Sequence, residues 1–164
     1  MVSSGLMMPV TMPGPGSPNA IYVFDGRKRV WNILRKDGEP FRLGELGNGL
    51  YIVYFDNLYC PACRSQDHHI YKLVLKYGSR GDVFFVIVVC DWFADNCKSE
   101  AASKTFREYK VTASPTLIIA MVSNGGIVEE RLEGVRTDSA IEYYIKKFLE
   151  SSQHGASGAS QSNP

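Results

Sequence analysis

A pair of cysteines stands where a strand-like segment of the chain gives way to a helix-like one. Residues 50–55 read Leu-Tyr-Ile-Val-Tyr-Phe, a composition typical of a buried strand. Cys60-Pro61-Ala62-Cys63 follows, and apolar residues then recur at helical spacing as far as residue 77. Proline suits the first turn of a helix, because its missing N–H has no helical partner there. The order therefore predicts a dithiol at a helix N-terminus.

The helix N-terminus gives the two cysteines different chemistry. Unpartnered backbone N–H groups and the helix dipole both favour a thiolate at Cys60. Cys63 lies one turn further along, on the apolar stripe, so we expect its sulfur to be less exposed. Cys60 is thus predicted to attack a disulfide and Cys63 to resolve the resulting mixed disulfide. The alternatives are an inert cysteine pair and half of a metal site.

Charge divides the chain into one domain and two tails. All Asp, Glu, Lys and Arg residues lie between Ile21 and Glu150. The flanking segments are rich in Pro, Gly and Ser, so we predict disordered tails at residues 1–20 and 151–164. The remaining residues, 21–150, are enough for a single domain with an adequate core.

Charge and hydropathy also limit the partners and the location. The net charge of +1 offers no electrostatic basis for binding nucleic acid. No segment approaches the roughly 20 apolar residues of a membrane helix, and no secretory signal is evident. We therefore expect a cytoplasmic protein, without membrane or nucleic-acid partners, that acts as a monomer.

Hydrophobic patterning places further elements around the dithiol. The Asp25-Gly26 turn predicts a hairpin, and the unbroken apolar run at residues 83–89 predicts a central strand covered on both faces. Together the pattern predicts an α/β fold with strands at residues 21–24, 29–34, 50–55, 83–89, 116–122 and 127–132, and helices at residues 61–77, about 98–109 and about 139–149.

A second landmark lies at residues 109–117, Tyr-Lys-Val-Thr-Ala-Ser-Pro-Thr-Leu. This segment resembles the part of the thioredoxin family in which an aromatic residue and a valine lead to a Pro-Thr pair that opens a strand. With the order of elements, it makes residues 50–149 similar to that family. The resemblance implies the thioredoxin fold, a central mixed β-sheet flanked by helices, with an extra N-terminal strand or hairpin. It also implies a cis-proline at Pro115 and substrate binding at Tyr59, Ser114 and Pro115.

The chain departs from the thioredoxin pattern at two positions that matter for chemistry. Thioredoxins usually carry Trp-Cys-Gly-Pro-Cys, whereas this chain has Tyr-Cys-Pro-Ala-Cys at residues 59–63, which leaves the redox potential open. The buried aspartate that thioredoxins hold six residues before the first cysteine is replaced by Tyr54, and Asp56 follows two residues later. Our hypothesis is that Asp56 or a water accepts the proton of Cys63.

Cys90 and Cys97 flank a short insertion after the predicted central strand. Three interpretations stay open for them: a structural disulfide, two free thiols, and a second redox pair that exchanges electrons with Cys60 and Cys63. A zinc site made of all four cysteines is disfavoured, because 26 residues separate the two pairs. Trp92 in the insertion, with its neighbour Phe93, either forms an apolar rim beside the dithiol or packs back onto the core.

The sequence thus predicts a thioredoxin-like thiol:disulfide oxidoreductase that needs no cofactor and no metal. Ala62 adds no positive charge between the cysteines, which favours a reductase over a strong oxidant. The expected partners are protein disulfides and an unidentified reductase or small thiol that supplies electrons. The alternatives are a redox-inactive binding module with structural cysteines and a zinc-stabilised module.

Overall fold

The computed structural model describes residues 10–158 of the chain. In this range the chain forms six strands and three helices. In order they are β1 (Ala20–Asp25), β2 (Val30–Arg35), β3 (Gly49–Asn57), α1 (Pro61–Tyr77), β4 (Val83–Cys90), α2 (Glu100–Glu108), β5 (Thr116–Ser123), β6 (Gly126–Glu133) and α3 (Asp138–Gly158).

The strands form one mixed sheet in the order β2-β1-β4-β3-β5-β6. Only β3 and β4 pair in parallel, and every other neighbouring pair is antiparallel. Helices α1 and α3 pack on one face of the sheet and α2 on the other, so β3 is buried on both faces from Leu50 to Asn57. This confirms the predicted α/β architecture, with β1 and β2 as the extra N-terminal hairpin.

The strongest sequence patterns match the observed elements closely. Helix α1 has the predicted bounds. Proline is tolerated in the first turn of a helix but not in its interior, so the helix begins at Pro61, and Gly78 follows its last residue. Helix α2 begins two residues later than predicted. The Ser99 hydroxyl accepts a hydrogen bond from Ala102 N at 3.0 Å, which makes Ser99 the N-cap.

The prediction of disordered tails does not hold for residues 10–20. Val10 is part of the core beneath α1 and α3. The Asn19 amide donates to Asp91 Oδ1 at 3.0 Å and accepts from Lys98 N at 2.7 Å, so the segment is tied to the domain despite its lack of charge.

The C-terminal boundary also moves. Helix α3 continues to Gly158, beyond the predicted end of the domain at Glu150. The remaining predicted tail residues, 1–9 and 159–164, lie outside the described part of the chain. None of the helices between residues 10 and 158 combines the length and the apolar composition that crossing a membrane requires.

The turn between β1 and β2 approaches the end of α1 so closely that a methyl group does not fit. A Cβ atom at Gly26 would lie 2.2 Å from the carbonyl oxygen of Gly78. We expect Gly26→Ala to lower the free energy of unfolding by about 1–3 kcal/mol, because backbone must shift to admit the side chain. Urea unfolding measures the effect. Gly81→Ala is the control, because a Cβ there meets nothing within 4 Å, and equal losses in both variants would contradict the packing argument.

Candidate active site

Cys60 is the N-cap of α1 and ends the short connection between strand β3 and that helix. Its backbone is extended, with φ −98° and ψ 113°, and its sulfur accepts a hydrogen bond from Cys63 N at 3.3 Å. Pro61 occupies the first turn and donates no hydrogen bond. The sulfur therefore sits at the positive end of the helix, where a thiolate is favoured.

The structure brings Cys63 and the Ser114-Pro115 peptide together with Cys60. The Ser114 hydroxyl oxygen lies 3.1 Å from Cys63 Sγ, and the Ser114-Pro115 bond is cis. This contact arises because β5 begins with Thr116 directly opposite Phe55, at the end of β3 that leads to α1. Cys63 is 0% exposed and Cys60 5%, in the order that the sequence predicts.

The two thiols differ in acidity because they differ in surroundings. Burial opposes ionisation of Cys60, but hydrogen bonds from the Ser114 hydroxyl, the Cys63 thiol and the N–H groups of Ala62 and Cys63 outweigh it and lower its pKa. Burial raises the pKa of Cys63 to about 12, and the Ser114 hydrogen bond offsets only part of this shift. At neutral pH, Cys60 is therefore the nucleophile of the pair and Cys63 is a thiol.

Asp56 is a buried carboxyl beside the less acidic thiol. Its side chain is 0% exposed, and burial together with the charge of Asp67 raises its pKa to about 7. Arg64 limits that rise by donating to Asp56 Oδ1 at 2.5 Å, whereas Oδ2 makes no hydrogen bond within the described part of the chain. Asp56 and Cys63 are close enough for each to affect the pKa of the other.

Arg64 and Asp67 belong to the site although sequence reasoning did not single them out. Arg64 also donates to Asp67 Oδ2 at 3.0 Å and to the Leu58 carbonyl at 2.7 Å. Tyr54 Oη lies 2.8 Å from both Asp67 Oδ1 and the carbonyl oxygen of Cys63. The i, i+3 spacing of opposite charges directly after the dithiol was the available signal for this pair. Nothing in the sequence showed that Arg64 would reach a buried carboxylate.

Cys90 and Cys97 are joined in a disulfide, with their Cα atoms 4.6 Å apart. Of the three open interpretations, the structure shows the bonded form, and in this form neither sulfur is a thiolate that could bind zinc. The bond closes a loop at residues 91–96. Within it Trp92 is 45% exposed, whereas Phe93 packs edge-on against Phe106 of α2. Of the two predicted alternatives, Trp92 thus matches the exposed one and Phe93 matches packing onto the core.

The disulfide-closed loop, residues 91–96, lies against the segment that leads into the dithiol. Leu58 N donates to the Cys90 carbonyl at 2.9 Å, and Tyr59 N donates to the Asp91 carbonyl at 3.2 Å. The Tyr59 side chain is 64% exposed. Tyr59 and Trp92 are thus large exposed side chains on adjoining segments beside Cys60, and we call them the aromatic rim.

Comparison with known proteins identifies the fold. No protein-family model and no curated protein matches this chain. Among solved structures, the Trx4 domain of ERdj5 is 20% identical, with a TM-score of 0.53, over 71% of this chain and 96% of that domain. Chloroplastic thioredoxin z is 16% identical, with a TM-score of 0.52, over 73% of this chain and 97% of its own.

A mitochondrial thioredoxin 3 from Saccharomyces cerevisiae is 28% identical, with a TM-score of 0.44, over 61% of this chain and 79% of its own. The sheet order and the likeness to the Trx4 domain and thioredoxin z place the chain among thioredoxin-fold proteins. The chain combines this fold with an added N-terminal hairpin and a Cys-Pro-Ala-Cys dithiol at residues 60–63.

The difference in acidity predicts selective alkylation of the reduced dithiol. Iodoacetamide at pH 7 is expected to modify Cys60 at least about tenfold faster than Cys63, because only a thiolate reacts readily. Peptide mass spectrometry after timed quenching measures the two rates. In Cys60→Ser, Cys63 is expected to stay slow. Faster labelling of Cys63 than of Cys60 in the unchanged protein would contradict the assignment of the nucleophile.

Proposed function

We propose that this protein is a thiol:disulfide oxidoreductase that reduces protein disulfides through Cys60 and Cys63. The observation that carries the proposal is the placement of Cys60 Sγ at the N-terminus of α1, within hydrogen-bonding distance of Cys63 N. The lowered pKa of Cys60 beside a thiol of raised pKa supports a division into nucleophile and resolving residue.

The reaction takes two exchange steps. The Cys60 thiolate attacks one sulfur of the substrate disulfide, which forms a Cys60-substrate bond and releases the other substrate sulfur as a thiolate. Cys63 then loses its proton and attacks Cys60 Sγ, which closes the Cys60-Cys63 disulfide and releases the second substrate thiolate. Two electrons pass to the substrate, so a reductase or a small thiol must restore the dithiol. No bound cofactor is required.

Asp56 is the proposed proton acceptor for the second step. A thiol with a pKa of about 12 cannot ionise appreciably at neutral pH without a base. Asp56 has a pKa of about 7, so a large fraction of it is ionised at neutral pH while it remains basic enough to accept a proton. Its Oδ2 supports this role, because that oxygen accepts no hydrogen bond from any group in residues 10–158.

Substrate is proposed to lie along Ser114 and Pro115, with Tyr59 beside it. Such a path runs past Cys60, and the aromatic rim of Tyr59 and Trp92 adds exposed apolar surface suited to an unfolded or extended protein segment. The substrate class is therefore a protein disulfide rather than a small, fully enclosed molecule.

The charges around the dithiol favour a reductase over a strong oxidant. A strong oxidant stabilises its reduced form by making the thiolate very acidic. Here Arg64, the cation next to Cys63 in the chain, is paired with Asp56 and Asp67, and Ala62 contributes no charge. Burial further limits ionisation of Cys60.

Insulin reduction in the presence of dithiothreitol tests the proposal. The unchanged protein is expected to accelerate the reaction, and Cys60→Ser is expected to abolish the acceleration because no nucleophile remains. Cys63→Ser is expected to accumulate a mixed disulfide at Cys60, detectable on a non-reducing gel and by mass spectrometry.

The double variant Cys90→Ala, Cys97→Ala is the matched control, because it removes two cysteines without touching the dithiol, and we expect it to keep activity. The enzymatic proposal would be contradicted if the unsubstituted protein were inactive and the Cys63→Ser variant formed no mixed disulfide. That result would support a binding module.

The role of Asp56 predicts a specific pH effect on the resolving step. Ellman's reagent separates the steps, because attack by Cys60 releases one coloured thiolate and resolution by Cys63 releases a second. The second phase is expected to accelerate as pH rises through about 7, since ionised Asp56 is the base.

Asp56→Asn is expected to slow the second phase by about tenfold or more near pH 7 and to leave the first phase nearly unchanged. Asp82→Asn, at an exposed ion pair with Arg80, is the control and should alter neither phase. An unchanged second phase in Asp56→Asn between pH 6 and 9 would remove Asp56 from the mechanism.

A further inference from the structure

A buried amide links the dithiol to the disulfide-closed loop. Asn57 is the last residue of β3 and is 0% exposed. Its Nδ2 donates to Ser114 Oγ at 3.0 Å, and its Oδ1 accepts from Phe93 N at 2.7 Å. Parallel pairing sets Asn57 opposite Cys90, so the amide lies between the disulfide and the Ser114-Pro115 peptide.

The two hydrogen bonds of Asn57 leave one arrangement of donors and acceptors. The Phe93 N–H can only donate, so the amide oxygen must face it. The amide nitrogen then faces Ser114 and can only donate, so Ser114 Oγ must be the acceptor. The hydroxyl hydrogen of Ser114 is thereby left free for another acceptor, and Cys63 Sγ lies 3.1 Å away.

We propose that Asn57 is a positioning residue, which directs the Ser114 hydroxyl as a hydrogen-bond donor toward the sulfurs of Cys60 and Cys63. Its own orientation is set by the backbone of the disulfide-closed loop through Phe93. The inference deepens the proposed function and rests on it, since it concerns how the nucleophilic thiolate is stabilised. No role in the chemistry itself is assigned to the Asn57 side chain, because its hydrogen bonds go to Ser114 Oγ and Phe93 N.

The effect on acidity supports the proposed role. The Ser114 hydroxyl is among the groups that lower the pKa of both Cys60 and Cys63, and a donor to the sulfur stabilises the charged form. Asn57 carries no charge, so the support does not change with pH. The titratable and charged groups near the dithiol, which the test leaves in place, include Tyr54, Asp56, Tyr59, Arg64, Asp67, Asp91 and Lys98.

Asn57→Asp reverses the direction of the hydrogen bond with little change in shape. At pH values where the new carboxyl is ionised, it can still accept from Phe93 N, but it cannot donate to Ser114 and instead draws the hydroxyl hydrogen to itself. The Cys60 sulfur then loses one of its donors, and we expect its pKa to rise by about one unit or more. The readout is the pH dependence of the alkylation rate at Cys60.

A cycle with Ser114 separates the hydrogen bond from the added charge. In the Ser114→Ala background only the charge of the new carboxylate acts, so we expect Asn57→Asp to shift the pKa there by less than half as much. Ser114→Thr keeps the hydroxyl and is expected to keep the pKa of the unchanged protein. Equal shifts with and without the Ser114→Ala substitution, or no shift in either background, would overturn the proposal.

Two further measurements separate the role of Asn57 from misfolding and from the enzymatic function. Circular dichroism checks that each variant is folded, and if Asn57→Asp is not, Asn57→Ala enters the same cycle. Its expected result is a raised pKa only where the Ser114 hydroxyl is present, and equal behaviour in both backgrounds would overturn the proposal. Insulin reduction by the unchanged protein is scored separately. An inactive protein with the expected cycle would overturn the enzymatic function but leave the role of Asn57 standing.

Discussion

The pairing of β3 with β4 on one side and β5 on the other determines the rest of the site. Hydrogen bonding along the whole of β3 sets Asn57 opposite Cys90 and Phe55 opposite Thr116. The end of β3, the end of β4 and the start of β5 therefore meet at one end of the central strands, where α1 begins. Since β3 is buried on both faces, a one-residue shift in register would exchange the side chains packed against α1 and α3 with those packed against α2, and the resulting misfit disfavours it. That register sets the positions of the dithiol, the Ser114-Pro115 peptide and the disulfide-closed loop.

Burial at this edge has opposite consequences for neighbouring groups. Cys60 stays acidic because donors from α1 and Ser114 outweigh its desolvation, whereas Cys63, with fewer compensating donors, becomes a very weak acid. Asp56 is desolvated in the same way but keeps one strong partner in Arg64, so its pKa rises only to about 7. A nucleophile, a protonated resolving thiol and a base near neutrality thus arise from small differences in hydrogen bonding.

Sequence patterns predicted the elements whose causes are local. The bounds of α1 follow from Pro61 and from its apolar stripe, and the central position of β4 follows from an unbroken apolar run. The failures have a common origin in contacts between distant residues. Residues 10–20 looked unstructured because they are rich in Pro, Gly and Ser, yet Val10 packs in the core and Asn19 is hydrogen-bonded to Asp91 and Lys98. Local composition did not reveal those contacts.

The sequence by itself determined the dithiol, its place at a helix N-terminus and the likeness to thioredoxins, because these depend on neighbouring residues and on the order of elements. Tertiary structure alone decided that Cys90 bonds to Cys97, that Arg64 reaches Asp56 and that Asn57 bridges Ser114 and Phe93. Each of these requires atoms from separate segments to come within a few ångströms in a particular orientation. Spacing along the chain carries no record of such distances, since they are set only when the sheet has formed.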